Sequence, residues 1–83
     1  MLGHMLDVRL LLEDGALFEI DLGRDLRYRL RYGRPDAWLV TYENGLRRIG
    51  SKATAYPFRS VEQLRYDFER DVENLENPHR QPR

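Results

Sequence analysis

The residues best equipped for chemistry fall in two runs of opposite sign. Between residues 60 and 77 the carboxylates Glu62, Asp67, Glu69, Asp71, Glu73 and Glu76 stand against only Arg65 and Arg70, and in residues 26–32 Arg27, Arg29 and Arg31 alternate with Leu26, Tyr28, Leu30 and Tyr32. Carboxylates at spacings of two and four make a surface for a basic partner, but without histidine among them they are a poor metal set. Arginines interleaved with aromatic residues are a means of holding nucleic acid, guanidinium against phosphate and ring against base. Covalent catalysis has little to work with. Cysteine is absent, His4 and His79 lie near the two ends, and Ser51 and Ser60 have no base at a readable spacing. The glycines fall in turns or at strand ends and form no phosphate-cradling loop. Neither an enzyme nor a cofactor or metal site is expected.

The elements that position these residues follow from periodicity. Leu6, Val8, Leu10 and Leu12 alternate, as do Ala16, Phe18, Ile20 and Leu22, then Leu26 to Tyr32, then Trp38, Val40 and Tyr42, and period two means strands. A three-residue loop at Glu13-Asp14-Gly15, with Gly15 left-handed, keeps one face apolar by setting Leu12 opposite Ala16, Leu10 opposite Phe18 and Val8 opposite Ile20. The same logic at Gly23-Arg24-Asp25 pairs Leu22 with Leu26, Ile20 with Tyr28 and Phe18 with Leu30. A five-residue loop at residues 33–37 then pairs Leu30 with Val40 and Tyr28 with Tyr42. Asn44-Gly45 predicts a type I′ hairpin with Glu43 opposite Leu46 and Val40 opposite Ile49, opening a fifth strand over residues 46–51. Residues 52–56 have no clear period and read as a linker crossing the sheet. Ser60 with Gln63 suggests a capping box, and Val61, Leu64, Phe68, Val72 and Leu75 form one helical stripe ending before Asn77-Pro78.

The expected fold is therefore α+β: a five-stranded antiparallel meander, twisted and curling towards a barrel, with one C-terminal helix on its apolar face. The 83 residues are read as a single domain, with residues 1–4 a tag remnant or disordered and residues 78–83 a frayed tail. A chain of this length has one modest core. Zero net charge argues against a purely electrostatic grip on nucleic acid, and no apolar run reaches the roughly 18 residues of a membrane helix. Without cysteine or a signal pattern, the cytoplasm is the default compartment.

With that pairing, the opposite face reads row by row. Arg27 lies between Asp21 and Glu43, Arg29 lies between Glu19 and Thr41, and Arg31 stands without an acid in a row with Leu11, Leu17 and Leu39. Such a row resembles an interface. The function expected first is a small non-catalytic protein-binding module, of the size phages and mobile elements use as inhibitors or adaptors. It would act through Asp67, Glu69, Asp71 and Glu73 on the helix or through the Leu11, Leu17, Arg31 and Leu39 patch, with a protein partner or a second copy of itself. The alternative is nucleic-acid binding through Tyr28, Tyr32, Trp38, Tyr42, Arg47 and Arg48.

Overall fold

A computed structural model describes the backbone of residues 4–76, and the expected tail at residues 78–83 and most of the expected tag remnant lie outside them. His4 is the first residue of a strand. The chain runs β1 (His4–Leu11), β2 (Leu17–Gly23), β3 (Tyr28–Arg34), β4 (Ala37–Glu43), β5 (Leu46–Ile49), β6 (Lys52–Ala55) and α1 (Val61–Glu76). The six strands form one antiparallel meander in chain order, open between β1 and β6. The architecture is α+β as expected, but with six strands instead of five, and the sheet does not close into a barrel.

The extra strand is the stretch read as a linker. Gly50, at φ 61°, and Ser51 turn the chain back so that Ile49 faces Lys52 and Leu46 faces Ala55. Every residue of β6 is exposed, so this edge strand needs no apolar alternation and shows none.

The first hairpin has the expected register, Leu10 opposite Phe18 and Val8 opposite Ile20, with Gly15 at φ 88°. The Asn44-Gly45 hairpin also pairs as expected, with both residues at positive φ. Between them β3 is displaced by two residues: Tyr28 faces Leu22 and Leu30 faces Ile20 on one side, while Leu30 faces Tyr42 on the other. Aspartate placement explains the first displacement. Asp14 Oδ1 accepts the Ala16 N–H at 3.0 Å and Asp25 Oδ1 accepts the Arg27 N–H at 3.1 Å, so the two loops are copies centred on their aspartates. The second loop is therefore residues 24–26, and Leu26, not a glycine, takes the left-handed position at φ 70°. Leu26 is thus exposed in the loop and not in the core.

On the β4 side the loop is shorter than expected. Arg34 faces Ala37 around Pro35-Asp36, and a bulge follows, because Tyr32 faces Val40 while the next residue, Gly33, faces Trp38. Leu39 is the extra residue. A β-carbon on Gly33 would lie 2.7 Å from the Leu39 nitrogen and 2.8 Å from the Ala37 oxygen, and Gly33 has φ 141°, so only glycine fits.

Helix α1 lies on the inner sheet face. Leu64, Phe68 and Val72 are buried against Ile20, Leu22, Tyr28, Leu30, Tyr32, Val40 and Tyr42, whereas Leu75, expected on the stripe, is largely exposed. Ser60 caps the helix by accepting the Gln63 N–H at 3.1 Å, but the Gln63 amide turns to Asp67 and leaves the capping box half formed. The passage from β6 to α1 adds cover: Tyr56 packs edge-on against Tyr42 with centroids 4.9 Å apart, and Phe58 stacks on Tyr28 at 5.7 Å. This passage and the helix together cover a sheet too wide for one helix, which removes the need to curl. No helix among the described residues is long and apolar enough to cross a membrane.

Candidate functional site

The displacement of β3 rewrites the outer face by one row. Arg31 faces Glu19 and Thr41, Arg29 faces Asp21 and Glu43, and Arg27 directly follows the loop, 3.6 Å from Asp25. Arg31, expected without an acid, instead bonds Glu19 Oε1 through Nη2 at 2.6 Å and Nε at 3.1 Å, and Arg9 approaches the other oxygen of Glu19 at 3.6 Å. The leucine row thus contains no arginine. It runs Leu11, Leu17, Gly33, Trp38 across β1 to β4, with Leu39 beside it in the bulge.

Alternation with Val40 and Tyr42 puts Trp38 on the apolar face, with Phe18, Tyr28 and Tyr32. The bulge changes its side: opposite Gly33 it joins the outer face, where the Arg31 guanidinium lies 4.2 Å from the centre of its ring. That contact holds the indole over the end of the charge ladder. Gly33 itself is buried between the half-buried Leu17 and Trp38, and beside them Leu11 is 74% exposed and Leu39 44% exposed. Arg34 steadies this end of the sheet by donating from Nη2 to the Asp14 carbonyl, tying the β3–β4 turn to the β1–β2 loop.

The four helix carboxylates separate into two pairs. Glu69 and Glu73 are on the solvent side, and Glu69 meets Arg65 at 3.4 Å. Asp67 and Asp71 are buried, contrary to an acidic docking face, because at three residues beyond Leu64 and Phe68 they border the apolar stripe. Asp71 Oδ2 accepts the Tyr42 hydroxyl at 2.5 Å and Arg47 Nε at 2.8 Å, and its Oδ1 accepts Arg47 Nη2 at 3.0 Å. Asp67 accepts the Tyr56 hydroxyl at 2.6 Å and the Gln63 amide at 2.9 Å, with Arg70 at 3.6 Å. Burial, reinforced by the bond to Asp71, pushes the Tyr42 phenol well above its ordinary range, and burial with the bond to Asp67 does the same to Tyr56. The Asp71 bond holds Arg47 more firmly protonated than usual. Phenols held protonated in this way do not serve as bases. The cluster ties helix to sheet.

Of the residues considered for nucleic acid, Tyr28, Tyr32 and Tyr42 are buried under the helix and its entry passage, so their rings present no stacking face. Arg47 is engaged with Asp71, and Arg48 is exposed on the outer face opposite Thr41. Arg47, Ile49, Lys52 and Thr54 line a shallow hollow of about 310 Å³ on the inner side of β5 and β6. A second, of about 300 Å³, lies between Tyr56, Pro57, Arg59, Gln63 and Asp67. Comparison of the chain with protein-family models, with curated proteins and with solved structures returns no match.

Proposed function

We propose that the chain is a non-catalytic protein-binding module whose docking surface is the outer end of the sheet formed by Leu11, Leu17, Trp38 and Leu39. One observation carries the reading: the outer face is a self-neutralising charge ladder up to Glu19 and Arg31, and then gives way to an apolar row in which Leu11 and Leu39 are exposed beside the half-buried Leu17 and Trp38. The core lies on the inner face under α1 and the passage before it, so the apolar side chains left exposed on this row are not needed for the core. A central aromatic with aliphatic neighbours and a rim of paired charge is the composition of a protein interface. Trp38 is already immobilised by Arg31 and would lose little freedom on binding. The acidic helix supports the reading less, since Asp67 and Asp71, two of the four carboxylates considered for docking, are spent inside. An inhibitor or adaptor, working by occupying a partner's surface, is the role that suits such a domain.

The test is affinity capture from extract of the native host with wild-type and Leu17→Asp chains side by side. The partner should be retained by the wild type and lost from the variant, while urea melts show that the variant, changed at a half-buried residue, is still folded under the capture conditions. A partner retained equally by both chains refutes the assignment of the row.

A further inference from the structure

Beyond the outer-face reading, we infer that β1 is a self-complementary edge through which two copies of the chain pair, joining their sheets across a two-fold axis at Val8. The sheet has two open edges, and they differ. β6 is four residues long and begins with Lys52, whereas β1 spans eight, carries neither proline nor lysine, and points no charge inwards from Leu6, Val8 or Leu10. The pairing of β1 with β2 is irregular only between His4 and Leu6, and the regular remainder, Leu6 to Leu11, has the length and lack of protective residues that make an edge ready to pair.

Hydrogen-bond parity restricts the registers. The Leu12 N–H donates to the Ala16 carbonyl at 2.8 Å, so even-numbered residues of β1 direct their backbone groups to β2, and those of Asp7, Arg9 and Leu11 point away from the sheet. An antiparallel copy must therefore set odd residues opposite odd residues. A two-fold axis at Asp7 opposes two aspartates, and one at Arg9 opposes two arginines. An axis at Val8 sets Asp7 opposite the partner's Arg9 and Arg9 opposite the partner's Asp7, with four backbone hydrogen bonds between them. On the inner face the same axis sets Val8 against its own copy and Leu6 against the partner's Leu10, covering a leucine that is 51% exposed. Sequence order around Val8, Leu-Asp-Val-Arg-Leu, is thus palindromic in chemistry, which is what an isologous contact demands. The axis keeps both helices on one side, and of the outer apolar row only Leu11 belongs to the paired strand.

Sedimentation of four samples decides the matter: wild type, Asp7→Arg, Arg9→Asp and the double variant. The wild type should dimerise, and each single variant, which opposes like charges at both cross-strand pairs, should weaken the dimer roughly tenfold or more. The double variant should recover it, and so should a mixture of the two singles. Both side chains are exposed, Arg9 also approaching Glu19 in its own sheet, and melting curves well above the temperature of the run will show that each variant is folded. A wild type that stays monomeric up to about 1 mM, on the weak side of ordinary association, overturns the proposal. So does a dimer indifferent to the single changes. Neither result bears on Leu17, which lies on β2 and takes no part in the edge.

Discussion

Removing one partner from the Arg47–Asp71 pair should cost more from the arginine side than from the aspartate side. Asp71 is only 5% exposed, while the Arg47 side chain is 32% exposed. In Asp71→Asn the amide still accepts the Tyr42 hydroxyl, and Arg47 can turn part of its guanidinium to water, so a loss of about 1–2 kcal/mol is expected, near the value of one charged hydrogen bond. In Arg47→Met the methylenes are kept, but a carboxylate is left under the helix with a phenol as its main donor, and the loss should approach about 3–5 kcal/mol. Total stability for a domain of this size is on the order of 5 kcal/mol, so the second variant should sit near its unfolding transition without denaturant. Urea melts followed by far-ultraviolet circular dichroism give both numbers, and the double variant gives the coupling. Equal losses, both under about 1 kcal/mol, would refute the reasoning, because they would mean that the carboxylate is hydrated and the pair does not fasten α1 to the sheet.

Gly33→Ala should destabilise the domain by about 2 kcal/mol or more in the same melts, since the new methyl meets only backbone and the backbone there lies outside the range of other residues. Leu26→Gly should do the reverse, gaining about 0.5–1 kcal/mol by relieving a left-handed leucine whose side chain is largely in water. Stability should also fall in alkali. The native phenols of Tyr42 and Tyr56 are raised, so the native state keeps protons that the unfolded chain gives up near pH 10; their contribution is full below that pH and is lost as it rises further. Urea midpoints at pH 8 and pH 10.5 should show the drop, and Tyr56→Phe should lessen it.

Which residues face inwards was legible in the sequence, because a displacement of two residues leaves the faces of a strand unchanged; Tyr28, Leu30, Tyr32, Val40 and Tyr42 are inside even though their partners differ from those expected. The rows were not legible, since they depend on loop length, and the glycine at position 23 was a false cue. Asp25 was the true one, repeating the role of Asp14 at the centre of its loop. The bulge that sends Trp38 outwards needs a close backbone approach at Gly33, which alternation alone does not reveal. β6 left no apolar signal because an exposed edge strand buries nothing. The burial of Asp67 and Asp71 did leave one: with Leu64, Phe68 and Val72 they continue the three-and-four spacing of the stripe, and tyrosines on the facing sheet were available as donors.

Trp38 is the only tryptophan in the chain and lies in the proposed docking row, so its fluorescence is the most direct measure of the account. Acrylamide quenching should be measured for the free chain and for its complex with the partner recovered by the wild-type chain. Docking on the outer row should shield the indole and lower the quenching constant several-fold. An unchanged quenching constant in a saturated complex would contradict it, placing the partner on another face of the domain.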